Sequence, residues 1–371
     1  MSDQLLISTR KGLFHLSRVS ENKWNIDRVS FPAENVTLAV ADPRDHAIYA
    51  GLEFGHFGTK LRKSPDNGET WEELEPPKYP EGEMTEPSPV TGINESAPAN
   101  LELIWSITPG AESQPGLLWI GTIPGGLFKS IDSGRSWELV RSLWDEPKRK
   151  KWFGGGRDLP GIHSILIHPE NPEHVTLAVS CGGVWVSKDG GETWDIKADG
   201  LRAEYMPPDR AGEPEIQDAH LIAQCAAHPE RMWVQHHNGI FVSSDGSESW
   251  NEISDRANPS AFGFAVVAHP TDRNTAWFVP AIKDEERIPL DGKLVVMRTT
   301  DGGKSFHQLT KGLPQDHAYD LVFRHALDID GSGDHLAFGS TTGSLWVSED
   351  GGESWGTVSN HLPPIYAVRY A

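Results

Sequence analysis

The chain repeats one short motif seven times, and this repeat constrains its fold more than any other feature. Six copies follow the pattern Ser/Thr-x-Asp-x-Gly-x-Ser/Thr-Trp, with Ser247 replacing Gly in one copy and Phe306 replacing Trp in another. Their first residues are Ser64, Ser130, Ser187, Ser243, Thr299 and Ser348. A seventh, degraded copy keeps Ser17 and Trp24 but has lost the Asp and the Gly. Internal repeats are typical of arrays of one supersecondary unit, so they decide the fold class first.

Each copy predicts a β-hairpin. The residues before the motif are rich in β-formers and bounded by glycine, as in Gly182–Ser187 and Gly343–Ser348. The Asp-x-Gly step favours a turn, because the carboxylate accepts backbone N–H groups and glycine tolerates positive φ. We therefore interpret the repeated aspartates as turn-forming residues. A carboxylate that recurs in every repeat does not mark one active site. The closing Trp is expected to pack between neighbouring sheets.

The spacing of the repeats predicts an all-β fold, a seven-bladed β-propeller with four-stranded blades. Successive copies lie about 55 residues apart, which suits four short strands plus insertions. The first repeat lacks an inner strand and opens at Leu5, whereas residues 364–370 form a lone strand at the end of the chain. We expect residues 1–30 and 363–371 to complete one blade together, which closes the ring and leaves no open sheet edge. Residues 1–371 are thus predicted to be a single domain.

Composition narrows the range of partners and compartments. The formal net charge of −20 argues against nucleic acid and anionic membranes as partners, because both require a basic surface. The first residues lead directly into a strand, with no basic segment followed by a long apolar run. Cys181 and Cys225 are the only cysteines, which fits a reducing compartment. We expect a cytoplasmic protein that binds a small molecule or a carbohydrate, with a protein partner as a further option.

The strand order assigns every loop to one of two faces. If each blade runs from inner strand A to outer strand D, the short A–B and C–D turns share one face. The long insertions are all D–A or B–C loops of the opposite face, and they span residues 75–100, 141–161, 197–219 and 280–292. Long irregular loops in a compact domain are usually functional or disordered. The mouth of the central channel on that face is therefore the expected binding site.

The same register supplies candidate residues for this mouth. The expected catalytic groups are three carboxylates and one histidine, namely Glu53, Asp284, Glu286 and His163. The expected substrate-binding groups are cationic, imidazole or aromatic, namely Arg10, Lys11, His56, His236, His237, Arg287 and Phe264. Four histidines from adjacent blades are candidate ligands of a divalent metal ion, namely His163, His220, His236 and His237. No His-x-His or Glu-x-x-His spacing on one strand strengthens the metal interpretation.

The repeated motif resembles the Asp-box, also called the bacterial neuraminidase repeat, over nearly the whole chain. It is similar to the sialidase-like propeller superfamily, which includes sialidases, some endoglucanases, sortilin-like receptors and photosystem assembly propellers. The start Leu5-Leu-Ile-Ser-Thr-Arg-Lys-Gly and the end Leu362-Pro-Pro-Ile-Tyr resemble a group of cytosolic bacterial propellers loosely called glycosyl hydrolases. The resemblance implies the propeller fold. It leaves the function open, because hydrolases and binding modules share this fold.

Three functions remain open at this point. The favoured one is a glycoside hydrolase-like or related small-molecule hydrolase. True sialidase activity is not expected, because Arg287-Ile-Pro289 lies in a B–C loop, whereas the resemblance implies an Arg-Ile-Pro motif in the first inner strand. The second is a non-catalytic binding or assembly propeller that exposes Trp144, Trp152 and Phe153 on an insertion loop. The third is a metal-dependent lyase or hydrolase that uses the clustered histidines.

Overall fold

The structure, a computed structural model, describes residues 2–371. These residues form 28 β-strands, one α-helical turn and six 3-10 turns. The strands are β1 (Gln4–Thr9), β2 (Gly12–Ser20), β3 (Lys23–Ser30), β4 (Val36–Ala41), β5 (Ile48–Glu53), β6 (Thr59–Ser64), β7 (Glu72–Leu74), β8 (Leu103–Pro109), β9 (Leu118–Ile123), β10 (Leu127–Ser130), β11 (Glu138–Leu139), β12 (Gly161–His168), β13 (Asn171–Ser180), β14 (Gly183–Ser187), β15 (Asp195–Ile196), β16 (Ala219–Cys225), β17 (His228–His236), β18 (Gly239–Ser243), β19 (Asn251–Glu252), β20 (Gly263–Ala268), β21 (Ala276–Pro280), β22 (Val296–Thr299), β23 (His307–Leu309), β24 (Leu327–Ile329), β25 (Leu336–Gly339), β26 (Leu345–Ser348), β27 (Gly356–Ser359) and β28 (Ile365–Tyr370).

Helical structure is confined to single turns in the connections. The α-helical turn is α1 (Arg141–Trp144), and the 3-10 turns are Gly55–Phe57, Pro89–Thr91, Pro147–Lys151, Pro214–Ile216, Ser254–Arg256 and Leu290–Gly292. Within residues 2–371, no helix combines the length and the apolar character that crossing a bilayer requires.

The strands form seven four-stranded sheets with antiparallel pairing, as between β1 and β2, β13 and β14, and β8 and β9, so the prediction of a seven-bladed β-propeller is confirmed. Six sheets use four consecutive strands each, from β4–β7 through β24–β27. The seventh has the order β28-β1-β2-β3 and joins the two ends of the chain. In it, Leu5 lies opposite Tyr370 and Ile7 opposite Val368. The predicted closure by the last strand is therefore present.

The repeated aspartates form turns, as the sequence predicts. Asp189 accepts hydrogen bonds from the hydroxyl of Ser187 (2.8 Å), and from the backbone N–H (2.9 Å) and hydroxyl (2.6 Å) of Thr193. The Ser187 hydroxyl in turn accepts the N–H of Gly191, whose φ is +96°. The same bonds recur at Asp66, Asp132, Asp301 and Asp350. Bonds from hydroxyl and N–H groups, led by the hydroxyl of the following Ser or Thr, lower the pKa of Asp66, Asp132 and Asp189 to about 2.

The tryptophan that closes the motif packs into the core between sheets. Trp194 belongs to one apolar cluster with Trp119 of β9 and Trp185 of β14, which come from two different sheets. A methyl group at Gly191 would lie 3.1 Å from the Trp119 ring, so the turn glycine also makes room for this contact. Buried aromatic rings contribute large apolar areas, which explains why a short motif stabilises each sheet.

The chain divides into two compact units. The first contains the residues up to Ala39, His220–Gly246 and Trp250–Ala371. It contains the sheet β28-β1-β2-β3 and the sheets β16–β19, β20–β23 and β24–β27. Its core includes Trp24, Trp277 and Trp355. The second contains Val40–Ala219 with Ser247–Ser249, and it holds β8–β11, β12–β15 and most of β4–β7.

Candidate functional site

Three of the four long insertions lie in the second unit, and two of them are bonded to each other. Residues 75–100 fold into a narrow hairpin with bridges between Met84 and Pro98 and between Ser88 and Ile93. The hydroxyl of Thr91 in this hairpin donates a hydrogen bond to the Asp158 carbonyl at 2.8 Å. The two insertions thus hold each other in place, and neither is an independent loop.

A group of charged side chains surrounds the start of β8. Leu103, Ile123 and Leu159 form a small apolar cluster, with Ile93 and Trp105 packed against it. Glu102 directly precedes Leu103, and Asp158 directly precedes Leu159, so this apolar cluster brings the two acidic residues into one region, where the charge of Asp158 acts on Glu102. We call Glu53, Glu102, Arg157 and Asp158 the Glu102 cluster.

Glu53 joins this cluster through the hairpin of β5 and β6. It is the last residue of β5 and lies opposite Thr59, the first residue of β6. The Thr59 hydroxyl donates a hydrogen bond to the Glu102 carbonyl at 2.8 Å. Thr59 therefore links the two glutamates: it pairs with Glu53 across the hairpin, and its hydroxyl bonds to the backbone of Glu102.

The environment of Glu102 raises the pKa of its carboxyl, although the residue is exposed. Desolvation raises the pKa of the Glu102 carboxyl, and the negative charges of Asp158 and, less strongly, Glu53 raise it further, while Arg157 opposes the shift. Acid–base catalysis uses carboxyl groups whose pKa values are shifted apart, because one group then donates a proton while a neighbour stays ionised.

His163, a predicted catalytic and metal-binding residue, is buried behind this cluster. Its side chain is 1% exposed, and its Nδ1 is 2.9 Å from the Ser164 hydroxyl. Its ring meets the Trp105 ring edge-on with 5.4 Å between centroids, and Trp105 packs against the Leu103 apolar cluster. His163 therefore supports the cluster from the interior, with one indole ring in between.

The predicted ligand-binding residue His56 lies on the exposed turn between β5 and β6. The 3-10 turn Gly55–Phe57 occupies this connection, and the rings of His56 and Phe57 lie 4.0 Å apart between centroids. Both side chains are exposed, and both stand on the hairpin that carries Glu53.

The first unit contains a second group of predicted residues, centred on Phe264 of β20. The His220 ring stacks on the buried Phe264 ring with 4.5 Å between centroids and 17° between planes. Phe262 contacts both His220 and His237 edge-on. The guanidinium carbons of Arg287 and Arg324 each lie 5.2 Å from the Phe264 centroid. We call these residues the Phe264 cluster; it is aromatic and cationic, and its Phe262 and Phe264 rings are buried.

The three histidines of the first unit that were predicted as metal ligands differ in what their ring nitrogens do. The buried His220 has its Nδ1 2.7 Å from the Gly263 carbonyl, an acceptor that requires the proton on Nδ1. In the neutral ring, Nε2 then carries the lone pair of a base or ligand. His236 shows the opposite tautomer, because its Nδ1 accepts the N–H of Asn238 at 3.1 Å. Ligand atoms of His220 and His237 lie within 4.8 Å of each other. His236 instead uses its Nδ1 to hold the backbone of the turn that contains it.

The predicted carboxylates of the sixth blade each form an ion pair within their own loop. Asp284 pairs with Arg287 at 2.5 Å, and Glu286 pairs with Lys283 at 3.2 Å. This tight turn is closed by mutual backbone hydrogen bonds between Lys283 and Glu286. The carboxylates are thus neutralised by neighbouring cations, which makes them weaker candidates than Glu102.

The remaining predicted cations lie at the turn between β1 and β2. Arg10 and Lys11 are both exposed, and their backbone N–H groups donate to the Pro364 carbonyl and the Thr9 hydroxyl. Neither side chain forms an ion pair within residues 2–371. They remain predicted substrate-binding residues.

One expectation about the surface is wrong. Trp144, Trp152 and Phe153, expected as an exposed protein-binding patch, are all buried. The reason is the basic run beside them, since Arg149 folds inward, places its guanidinium 3.8 Å from the Trp144 ring centroid and donates to the Trp144 carbonyl.

Sequence reasoning missed Glu102, Arg157 and Asp158. A signal was available for Glu102, because it directly precedes inner strand β8, the position that selected the histidines at the start of other inner strands. Nothing local marks Asp158, which reaches the cluster through the packing of Leu159.

No protein-family model matches this chain. An oligoxyloglucan-reducing end-specific xyloglucanase from Emericella nidulans is 22% identical to it over 91% of this chain and 41% of the xyloglucanase. The structure of a GH74 xyloglucanase from Xanthomonas campestris superimposes with a TM-score of 0.65 at 15% identity, over 97% of this chain and 53% of that one. A structure described as YCF48 bound to D1 peptide gives a TM-score of 0.52 at 14% identity, over 87% of this chain and 81% of that one.

These similarities support a glycoside hydrolase-like propeller. The chain spans about two-fifths of the length of the xyloglucanase relative. At 15% and 14% identity, the structural matches show the fold alone, and they include both an enzyme and a peptide-bound propeller. The site must therefore be argued from this chain's own residues.

Proposed function

We propose that this propeller is a glycoside hydrolase whose reaction takes place at the Glu102 cluster. One observation carries the proposal: Glu102, with its raised pKa, lies among two further carboxylates at the junction of two insertion loops and the β5–β6 hairpin. The sequence similarity to a xyloglucanase supports a carbohydrate ligand.

The three carboxyl groups of the cluster have distinct roles in this proposal. Glu102 is the general acid and donates its proton to the glycosidic oxygen as the bond to the anomeric carbon breaks. Asp158, the charge that acts most strongly on Glu102, is the second carboxylate and stabilises the developing positive charge or activates water. Glu53 helps to keep Glu102 protonated. Water supplies the hydroxyl on the anomeric carbon and the proton that restores Glu102.

The test compares the wild type with Glu102→Gln on xyloglucan and cello-oligosaccharides, with released reducing ends as the readout. The amide keeps the shape of the side chain but has no proton to donate, so kcat falls by about 10²–10⁴-fold. Glu112→Gln is the matched control, because Glu112 is an exposed glutamate of the same unit that loses the same charge. A wild type that releases no reducing ends, or a Glu102→Gln variant of full activity, contradicts the proposal.

A metal-dependent lyase or hydrolase is the second candidate, because His220 and His237 of the Phe264 cluster approach each other with suitable ligand atoms. Imidazole nitrogens suit zinc and other late transition metals. Elemental analysis after dialysis against Zn²⁺ tests this function. Stoichiometric zinc in the wild type and its loss in His220→Ala support it, whereas equal background zinc in both removes it.

A further inference from the structure

We infer that the outer strand β3 (Lys23–Ser30) is an interaction surface for a second copy of this chain, which adds its own β3 in the antiparallel direction and forms a two-fold dimer. β3 belongs to the first unit, whereas the residues of the proposed active site lie in the second. The dimer is therefore independent of the proposed function.

The first observation is the length of β3. It is the last strand of the sheet β28-β1-β2-β3, and no strand other than β2 pairs with it within residues 2–371. It has 8 residues, whereas the outer strands of the other six sheets have 2 to 4. Short outer strands limit the pairing of free backbone N–H and C=O groups with another chain. A long one offers a template for a further strand.

The second observation is that the apolar face of this sheet continues to its edge. Phe14 and Leu16 of β2 lie on one face, because they are two residues apart, and both pack in the apolar core of the first unit. Their partners on β3 are Val29 and Ile26, which therefore lie on the same face. Ile26 is 45% exposed and Val29 is 38% exposed. A further strand would cover both side chains, and the burial of their apolar area would stabilise the association.

The third observation is that the β2–β3 hairpin is held in place. Arg18 of β2 donates a hydrogen bond from Nε to the Glu349 carboxylate at 2.8 Å. The backbone N–H of Asn22, in the turn between the two strands, donates to the same carboxylate at 2.9 Å. The Glu349 side chain is itself buried. Because the edge is already fixed, little conformational freedom is lost when a strand is added to it.

The charges of β3 favour a second copy as the added strand. Asp27 and Arg28 are adjacent and opposite in sign, and Asp27 is the extra residue of a bulge, since Ile26 and Arg28 pair with consecutive residues of β2. Bulges and charges usually keep an edge unpaired. Here, an antiparallel copy related by an axis between Asp27 and Arg28 places each aspartate opposite an arginine. Each Ile26 then lies opposite a Val29.

The same charges specify the register. A slip by one residue in either direction would oppose two like charges, Asp27 to Asp27 or Arg28 to Arg28, and like charges directly opposite are destabilising. The chain carries a formal net charge of −20, so two copies repel each other over most of their surface. Contact therefore requires a place where the charges match, as they do along β3. A single pair of strands gives a small interface, so the dimer is expected to be weak.

Sedimentation velocity of the full chain over about a hundredfold range of protein concentration tests this dimer. The wild type is expected to shift from one chain to two as its concentration rises. Ile26→Lys is expected to weaken the association by at least about tenfold, because a charge replaces an apolar side chain in each copy. Ile131→Lys is the matched control and is expected to associate like the wild type, because Ile131 is 76% exposed and belongs to the second unit.

A charge exchange tests the register. Asp27→Arg places two arginines opposite each other and is expected to weaken the dimer by about tenfold. Adding Arg28→Asp restores opposite charges across the contact, so the double variant is expected to regain the association. Asp255→Arg is the matched control, because Asp255 is an exposed aspartate of the first unit that is also followed directly by an arginine.

Three outcomes would overturn the dimer. The wild type remains a single chain over the whole concentration range, or Ile26→Lys associates as well as Ile131→Lys, or the double variant stays as weak as Asp27→Arg alone. Regained association in the double variant also shows that Asp27→Arg acts at the contact and not by unfolding the chain. All of these variants leave the Glu102 cluster unchanged, so the result is separate from the test of hydrolysis.

Discussion

The aspartate turns and the Glu102 cluster both present carboxylates, yet their surroundings shift the pKa in opposite directions. Asp189 is ringed by donors from its own turn, led by the Thr193 hydroxyl, and its pKa falls to about 2. At Glu102, which is exposed, partial desolvation and the negative charges of Asp158 and Glu53 raise the pKa. The comparison teaches that the conspicuous, repeated carboxylate is structural, whereas the acid catalyst that we propose is a carboxylate that no motif marks.

The largest effect is expected when the shape of the loop that carries Asp158 is changed. A methyl group at Gly154 would lie 2.0 Å from the Arg157 carbonyl oxygen and 2.5 Å from that of Asp158. Gly154→Ala must displace these residues, and a shift of about 1 Å in a catalytic group costs on the order of 10²-fold in activity. Kinetics on oligosaccharides measure the loss. Gly212→Ala, at a position with nothing within 4 Å, is the control and stays active.

Loss of one aspartate turn is expected to lower stability but not activity. Asp350 accepts hydrogen bonds from the Ser348 hydroxyl at 2.8 Å and from the N–H and hydroxyl of Ser354 at 2.9 and 2.6 Å. Asp350→Ala removes all three, which costs about 1–2 kcal/mol in the free energy of unfolding. Urea denaturation measures this change, with Asp334→Ala as the control at an exposed aspartate. A large activity loss in Asp350→Ala with unchanged stability would contradict the structural role of the repeated aspartates.

The pH dependence of activity is expected to follow the carboxyl of Glu102. A general acid works only while protonated, so kcat/KM falls as pH rises through the raised pKa of Glu102. Asp158→Asn removes the strongest neighbouring negative charge and lowers this pKa, so its residual activity is lost at a lower pH than in the wild type. A decline that stays at the same pH in Asp158→Asn would show that another group controls it.

The smallest effect concerns stability at acidic pH. The pKa of Asp132 is depressed to about 2 in the folded chain, so its contribution is present above the ordinary aspartate pKa and is lost as pH falls through about 2. Glu102 has the opposite sign, because its raised pKa favours the folded state below the ordinary glutamate pKa, and this contribution is lost as pH rises. Between pH 5 and pH 2, the melting temperature of Asp132→Asn should fall less steeply with decreasing pH than that of the wild type. The same pH dependence of the melting temperature in both proteins would contradict this prediction.

The fold could be predicted because its signals are local. The Ser, Asp, Gly and Thr of each turn bond to one another within one motif, as in Ser187 to Thr193, so seven residues of sequence contain the whole interaction. Blade closure was also predictable. The first repeat lacks an inner strand and the last residues form an unpaired strand, so pairing them completes a four-stranded blade. The site was harder, and Glu53 was selected whereas Glu102 and Asp158 were missed.

The sequence by itself therefore determined the number of blades, the role of the repeated aspartates and the resemblance to sialidase-like propellers, because backbone patterns and short-range hydrogen bonds specify them. Tertiary structure alone decided which carboxylates meet. Asp158 belongs to the insertion of residues 141–161, whereas Glu102 directly precedes β8, and they come together because Leu103 and Leu159 share one apolar cluster. Desolvation and charge repulsion depend on distance through space, so the raised pKa of Glu102 exists only in the folded chain.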